Sequence, residues 1–327
     1  MSGNPFTQQR DLLAGNGTVA FEHRGVVALT GTDRLSYLDS LVSQDVSGLM
    51  PGESAEALLL DPQGHIERVM GLIDDGETTW ILVDEGEAPA VAAFLDRMTF
   101  SKDAAARDAS EEVYRVGFFP GGPAEQVLTS LAQTRKGVSL VWLDPWNQVA
   151  PGGWQYAAGE GHPAREWNYR EAILSRGVFY SAFDAVPSID PQMWETLRIA
   201  AWRPRYTTEV DVNALPHEFD WLRSAVHLNK GCYRGQETVA KVHNLGHPPR
   251  RLAFLSLDGV DLVFPQKIKK IMDGETEVGH VTSAARHFEE GVIALAILKR
   301  NANPEAELVV VADGTQIPAT QVVIVPP

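Results

Sequence analysis

The sequence predicts an α+β fold that ends in a module of strands alone. Three observations carry this. Short apolar runs broken by turn residues alternate with segments of helical spacing before residue 100. A capped, proline-initiated helix follows near residue 190. After residue 252, strand signals recur with no helix between them. At 327 residues the chain is long enough for two or three domains, and 44% hydrophobic with 22% charged residues is ordinary for a soluble globular protein.

In chain order, residues 18–30 read as a strand, a turn at His23-Arg24-Gly25, and a second strand through Val26-Val27-Ala28-Leu29. Thr32 or Asp33 caps a helix whose apolar positions Leu35, Leu38, Leu41 and Val42 recur at helical spacing. Strands are expected at residues 55–60, 66–73 and 78–83, separated by turns at Pro62-Gln63-Gly64 and Asp74-Asp75-Gly76. Residues 88–98 read as a helix. Residues 120–165 are rich in Gly and Pro and read as loops. Helical character returns at residues 166–176. Asp190 caps a helix opening at Pro191, with Trp194, Leu197 and Ala201 as its apolar stripe and Pro204 as its stop. Residues 252–257, 267–272, 277–283, 292–298, 308–311 and 322–325 are strand candidates, a pattern of a small β-barrel or sandwich.

The formal net charge of −15 disfavours nonspecific nucleic-acid binding, which needs a basic surface. The charge is uneven. Lys230, Arg234, Lys241, Arg250 and Arg251 face a single acid, Glu237, in the same stretch. That segment suits a small anionic ligand; the plainer reading is a cationic surface loop that binds nothing. One cysteine excludes an internal disulfide and fits a reducing compartment. No basic-then-apolar leader and no membrane-length apolar stretch are visible, so a cytoplasmic protein is expected. His243 and His247 are four apart, but Gly246 and Pro248-Pro249 argue against a shared helix, and no metal site is expected. No Walker loop, dinucleotide fingerprint or nucleophile elbow occurs.

The most specific stretch is Lys230-Gly231-Cys232-Tyr233-Arg234-Gly235-Gln236-Glu237. Two glycines allow tight turns and close approach of a ligand to main-chain N–H groups. Two cations beside a thiol favour its thiolate, the reactive form. The plainer alternative is a buried cysteine acting as a small hydrophobe. Glu195 and Arg198, three apart on one helical flank, read by themselves as a surface ion pair.

The octapeptide resembles the signature of the YgfZ family at every fixed position. Flanking segments extend the resemblance: residues 190–199, Val239-Ala240-Lys241, Arg250-Arg251-Leu252, residues 41–46, and residues 59–64. Gly279-His280-Val281-Thr282-Ser283 resembles a strand motif shared with the glycine-cleavage T-protein. The resemblance covers most of the chain and is weakest around residues 120–165.

The resemblance implies three modules in a T-protein-like ring. Residues 1–50 and 160–248 would form a discontinuous α+β module, residues 51–159 a second, and residues 249–327 a C-terminal antiparallel β-barrel. It implies a tetrahydrofolate ligand, with Glu195 taking the pterin ring and Arg198, Lys230, Tyr233, Gln236 and Glu237 in the folate site. Gly231, Arg234 and Gly235 would shape the signature loop around a reactive Cys232. It further implies support of iron–sulfur enzymes, including tRNA-modifying ones, as transient clients, without direct nucleic-acid or membrane contact. One cysteine cannot hold an iron–sulfur cluster as sole ligand, so any cluster contact would be shared or transient.

The alternative is a folate-dependent one-carbon transferase like the T-protein. Against it, Arg68 and Val69 stand where T-proteins carry paired aspartates, and Cys232 stands where they typically carry an acid. A folate binder without chemistry remains a third reading.

Overall fold

The computed structural model describes residues 3–132, 134, 136–157, 161–258, 269–312 and 314–327. The chain opens with α1 (Pro5–Leu13), β1 (Val19–Phe21), β2 (Arg24–Thr30) and α2 (Arg34–Asp39). A meander of β3 (Ser54–Leu60), β4 (Ile66–Asp74) and β5 (Thr78–Glu85) leads into α3 (Ala88–Arg97). Next come β6 (Ala105–Asp108), β7 (Val113–Phe118), α4 (Pro123–Leu131), β8 (Val141–Leu143) and β9 (Arg170–Ser175). Helices α5 (Arg176–Phe179), α6 (Ser181–Ala185), α7 (Pro191–Ala200), α8 (Tyr206–Glu209) and α9 (Gln236–Leu245) follow. The last strands are β10 (Arg250–Leu257), β11 (Lys269–Asp273), β12 (Thr276–His287), β13 (Gly291–Lys299), β14 (Leu308–Ala312) and β15 (Thr315–Val323).

The strands form a five-stranded sheet, β3-β4-β5-β2-β6, a four-stranded sheet, β1-β7-β9-β8, and a closed six-stranded barrel, β10-β13-β12-β11-β14-β15. The fold is α+β with an antiparallel C-terminal barrel, as the alternating segments predicted.

Successive residues on a strand point to opposite faces, and here each face finds a core. Val26 and Ala28 of β2 join a central cluster, while Val27 and Leu29 join an outer one under α2 and α3. On β10, Leu252 and Phe254 face the same central cluster, while Ala253 and Leu255 fill the barrel. On β9, Ile173 faces the centre and Ala172 and Leu174 pack under α4 and α6. All three sheets therefore lend one face to one central core, which takes side chains from Leu12 through Val325. Burial on both faces is why several strands read as unbroken apolar runs.

Several expectations change. The two strands of residues 18–30 are not a hairpin: β1 pairs with β7, and β2 pairs with β5 and β6. Because Val27 lies opposite Ile81, the five-stranded sheet spans residue 50, and the expected boundary there would cut it. Residues 170–175, expected within a helix, form β9, whose Ile173 pairs with Arg115 of β7 on one side. Ala172 pairs with Val141 of β8 on the other. Glu171, Ala172 and Leu174 favour a helix locally, but pairing on both sides of β9 overrides that propensity. Residues 123–131, expected as loop, form α4, with Ala124 and Leu128 buried. Helix α2 stops at Asp39, and Asp33 gives it no side-chain cap; its carboxylate Oδ2 instead accepts from Asp103 N at 3.0 Å. The last strand lies at Thr315–Val323 rather than 322–325. Residues 267 and 268, expected to open the second barrel strand, lie outside the described residues.

Candidate functional site

Helix α7 begins where the sequence places it. Asp190 accepts from Gln192 N at 2.9 Å, Pro191 occupies the first turn, and Trp194 and Leu197 are buried. That orientation leaves Glu195 on the half-buried flank and drives Arg198 fully inside. The Arg198 guanidinium donates Nε to Glu195 Oε2 at 2.6 Å and Nη1 to Glu209 Oε2 at 3.2 Å. Its Nη2 reaches Ser283 Oγ at 2.8 Å, on barrel strand β12. Arg205 takes the other Glu195 oxygen, Nη1 to Oε1 at 2.5 Å, and holds Asp84 Oδ1 through Nε at 3.2 Å. Thr282 and Ser283 both donate to Glu209 Oε1. The Glu195–Arg198 pair is thus no isolated surface pair but the middle of a network joining α7, α8 and the barrel.

Burial pushes the Glu195 carboxyl up, but Arg198, Arg205 and Arg24 together outweigh it and hold the group below its ordinary range. Glu195 opens onto a groove of ≈ 990 Å³ between α1, α7 and β12. Apolar walls come from Phe6, Met193 and Ile199, and polar groups from Gln9, Thr208 and Ser283. Each Glu195 oxygen accepts one arginine N–H, and an ionised carboxylate has capacity for further donors.

The signature loop lies elsewhere: none of residues 230–237 lines this groove. Lys230 is almost fully buried and its Nζ is saturated, at 2.7 Å from Asp39 O, 2.8 Å from Asp39 Oδ1, 3.0 Å from Val42 O and 2.6 Å from Gln44 O. It clamps the loop to the turn after α2. Arg234 pairs bidentately with Glu67, at 2.8 and 3.3 Å. Both cations that flank the thiol in sequence are therefore engaged by other groups. Tyr233 is a buried member of the central core, with its hydroxyl pushed up by burial. Gln236 Nε2 reaches back to Lys230 O at 3.4 Å, and Glu237 is exposed in the first turn of α9. Gly235, at φ 82°, turns the chain into α9; a Cβ there would lie 2.6 Å from Asp61 O. Gly231 meets nothing within 4 Å. Cys232 is exposed.

A second, inner cavity of ≈ 70 Å³ lies between the sheets. Buried ion pairs surround it. Glu171 holds Arg24 at 2.9 Å and Arg115 at 2.6 Å, and Arg203 bridges Glu56 at 2.5 Å and Asp144 at 3.0 Å. Burial would raise Glu171, but Arg115 and Arg24 hold it low. Sequence reading missed these pairs, and it missed Arg205 and Glu209. The available signal was the polar run Arg203-Pro204-Arg205-Tyr206-Thr207-Thr208-Glu209 directly after an apolar helix.

Helix α9 runs through His243 and ends at Leu245, so His247 lies beyond it. Among the described residues, no three His, Cys, Asp or Glu side chains gather as a metal site, and no helix is long and apolar enough to cross a membrane.

No model of a known protein family matches the chain. Relatives do. A "tRNA-modifying protein YgfZ" of Serratia proteamaculans is 25% identical over 304 residues, covering 91% of this chain and 88% of that protein. An aminomethyltransferase of Nostoc sp. is 26% identical over 297 residues, 82% of this chain and 72% of that one. A mitochondrial iron–sulfur cluster assembly factor IBA57 homolog of Mycosarcoma maydis is 23% identical over 273 residues, 75% of this chain and 61% of that one. In structure, the chain matches the glycine cleavage system aminomethyltransferase T of Bartonella henselae with a TM-score of 0.73 and 14% identity, over 97% of this chain and 87% of that one. The chain is YgfZ-like and has the T-protein fold.

At positions 68 and 69, where the resemblance led to an expectation of paired aspartates in a transferase, this chain has no carboxylate to offer. Arg68 donates Nη1 to Tyr206 OH at 3.0 Å and pairs with Glu87. Val69 lines the inner cavity with an isopropyl group. Glu67, one residue earlier, is turned to Arg234.

Proposed function

We propose that this chain binds a reduced folate and supports iron–sulfur enzymes, tRNA-modifying ones among them. The observation that carries the folate reading is Glu195, bonded to Arg198 and Arg205 and held below its ordinary range at the wall of a groove large enough for a folate. The ≈ 990 Å³ volume is at the upper end of the about 300–1,000 Å³ expected of small-molecule pockets, which pair apolar walls with a few placed polar groups. A pterin offers two parallel N–H donors on its pyrimidinone edge, and a carboxylate is the matching acceptor. Arg198 orients Glu195 and, through Ser283, ties the groove to the barrel. The Thr208 and Ser283 hydroxyls also line the groove; each already donates to Glu209, so towards a ligand they can only accept. The cellular role rests on likeness to proteins named for iron–sulfur assembly and tRNA modification.

The test is calorimetric titration of tetrahydrofolate. Glu195→Ala should weaken binding by about 1.5–3 kcal/mol, the scale of a hydrogen bond to a charged group. Unchanged affinity would remove Glu195 from the site. For the exposed Cys232 we propose a transient contact with a client rather than with the folate, since its loop is outside the groove. Cys232→Ser should keep full folate affinity and fail to restore a client enzyme in cells lacking this protein; restored activity would make the thiol dispensable.

The second reading is one-carbon transfer, favoured by the likeness to aminomethyltransferases. Arg68 and Val69 count against it, because neither can orient or deprotonate a reacting amine.

A further inference from the structure

The segment between α2 and β3 and the loop after β8 enclose a cleft that the folate reading leaves unused. It consists of two joined hollows, of ≈ 640 Å³ and ≈ 350 Å³. Glu53, Ser54, Pro145, Gln148 and Pro151 line both hollows and so form the waist between them. Beyond the waist, the larger hollow reaches Leu143, Asn147 and Asn168, and the smaller reaches Gln44, Asp45 and His227. No residue that lines the Glu195 groove lines either one.

The two hollows differ in chemistry. In the larger, Asn147 donates Nδ2 to Asn168 Oδ1 at 3.1 Å, which leaves an amide carbonyl on one residue and an amide NH₂ on the other. Leu143 is exposed beside them. The single Lys or Arg there among the described residues, Arg170, is paired with Glu125 at 2.6 Å. In the smaller hollow, three acids and no Lys or Arg line the wall among the described residues. Glu56 is buried and committed to Arg203 and Ser224. Asp45 and Glu53 are exposed and form no ion pair among the described residues. Asp45 accepts from Ser47, and Glu53 accepts from Met50 N at 2.9 Å. The unpaired charge of the cleft is therefore negative and lies at the waist and the Asp45 end.

A compact molecule would fill one hollow. An extended polypeptide spans both, sets its main-chain groups against the asparagine pair, and brings a cationic side chain to Asp45 and Glu53. Nucleic acid is a poor occupant, because its phosphates find no unpaired cation here. We infer that this cleft docks an extended basic segment of a partner protein. The net charge of −15 steers such a segment inward. The cleft adjoins the signature loop: Lys230 Nζ bonds the main-chain oxygen of Gln44 at 2.6 Å, and the exposed Cys232 follows Lys230 within about 7 Å of main chain. A docked segment thus passes near the thiol, and to that extent the inference rests on the client contact proposed for Cys232.

The experiment follows fluorescence anisotropy of two pools of labelled, capped decapeptides on the full-length protein. Both pools are built from Ala, Ser, Leu and Pro, one around a central Lys-Arg pair and the other around Glu-Glu. At low salt the Lys-Arg pool should bind about tenfold more tightly than the Glu-Glu pool. Asp45→Asn combined with Glu53→Gln should abolish that preference. Glu22→Gln combined with Glu305→Gln removes as much charge from exposed sites outside the cleft and should preserve it. Leu143→Asn should weaken both pools alike. Equal affinity for the pools, binding of neither, or a preference that survives the Asp45–Glu53 double variant overturns the assignment. Sedimentation that shows a dimer dissociated by Leu143→Asn would put a second copy of this chain in the cleft and overturn it as well. Cys232→Ser should bind the peptides as the unaltered protein does; a loss there would move the site to the signature loop. If that variant binds the peptides and also restores the client, the thiol proposal falls and the docking cleft stands.

Discussion

His162 and Asp220 are buried together, with His162 Nε2 3.9 Å from Asp220 Oδ2, and burial moves them in opposite senses. It pushes Asp220 up to about 7, against the help of a main-chain bond from Tyr156 N, and pushes His162 down to about 3, with Arg223 adding to the effect. The signs follow from proton counts. Between its ordinary 3.8 and about 7, native Asp220 keeps a proton the unfolded chain releases, so its contribution is lost as pH rises. Between about 3 and 6.5, the unfolded chain protonates His162 and the native chain does not, so stability is lost as pH falls. From about pH 4 to 6.5 the two slopes oppose each other. Asp220→Asn removes one and should leave melting temperature rising more steeply with pH across that window than in the unaltered protein. Thermal unfolding followed by circular dichroism at a series of pH values checks this, and parallel profiles would refute it.

At the scale of elements, the signature loop separates two glycines that look equivalent in sequence. Gly235 needs its positive φ and its bare Cα against Asp61, while Gly231 needs neither. Gly235→Ala should cost about 1–3 kcal/mol, the range for a strained backbone position, and Gly231→Ala should stay within about 0.5 kcal/mol. Urea denaturation of the two variants measures both; equal losses would mean the loop is not held by Gly235.

What could be read ahead of the structure follows the range of the interactions. The cap of α7 and the Glu195–Arg198 pair are local, and their spacing announces them. The Arg205, Glu209 and Ser283 partners come from a loop and from the barrel, and no local pattern encodes them. The cations of residues 230–251 were visible as charges, but their pairing with Asp39, Glu67 and Asp211 was not, because each partner is far away in sequence. The helical spacing of residues 166–176 hides strand β9 for the same reason: its pairing with β7 and β8, and the hold of Glu171 on Arg24 and Arg115, are contacts between distant segments.

At the scale of the whole molecule, the barrel has an interior of its own and an outer face that belongs to the common centre. Leu252, Phe254, Ile293 and Leu295 share that centre with Trp194 and Ile199 of α7. Polar ties cross the same boundary: Arg198 to Ser283, and Gln9 to the main chain of Arg286 and Phe288 at 3.0 Å each. The molecule should therefore unfold as one unit. Scanning calorimetry should give a single transition whose calorimetric and van't Hoff enthalpies agree. A resolved barrel transition would contradict it.

The common centre also has a schedule. Leu12 is made some three hundred residues before Ile324 and Val325, with which it shares one buried cluster. Until those arrive, the nascent chain must carry the unfinished apolar faces of two completed sheets exposed. Helper chaperones that shield such surfaces should accordingly engage this protein on the ribosome, and its yield should depend on them more than its final compactness would imply.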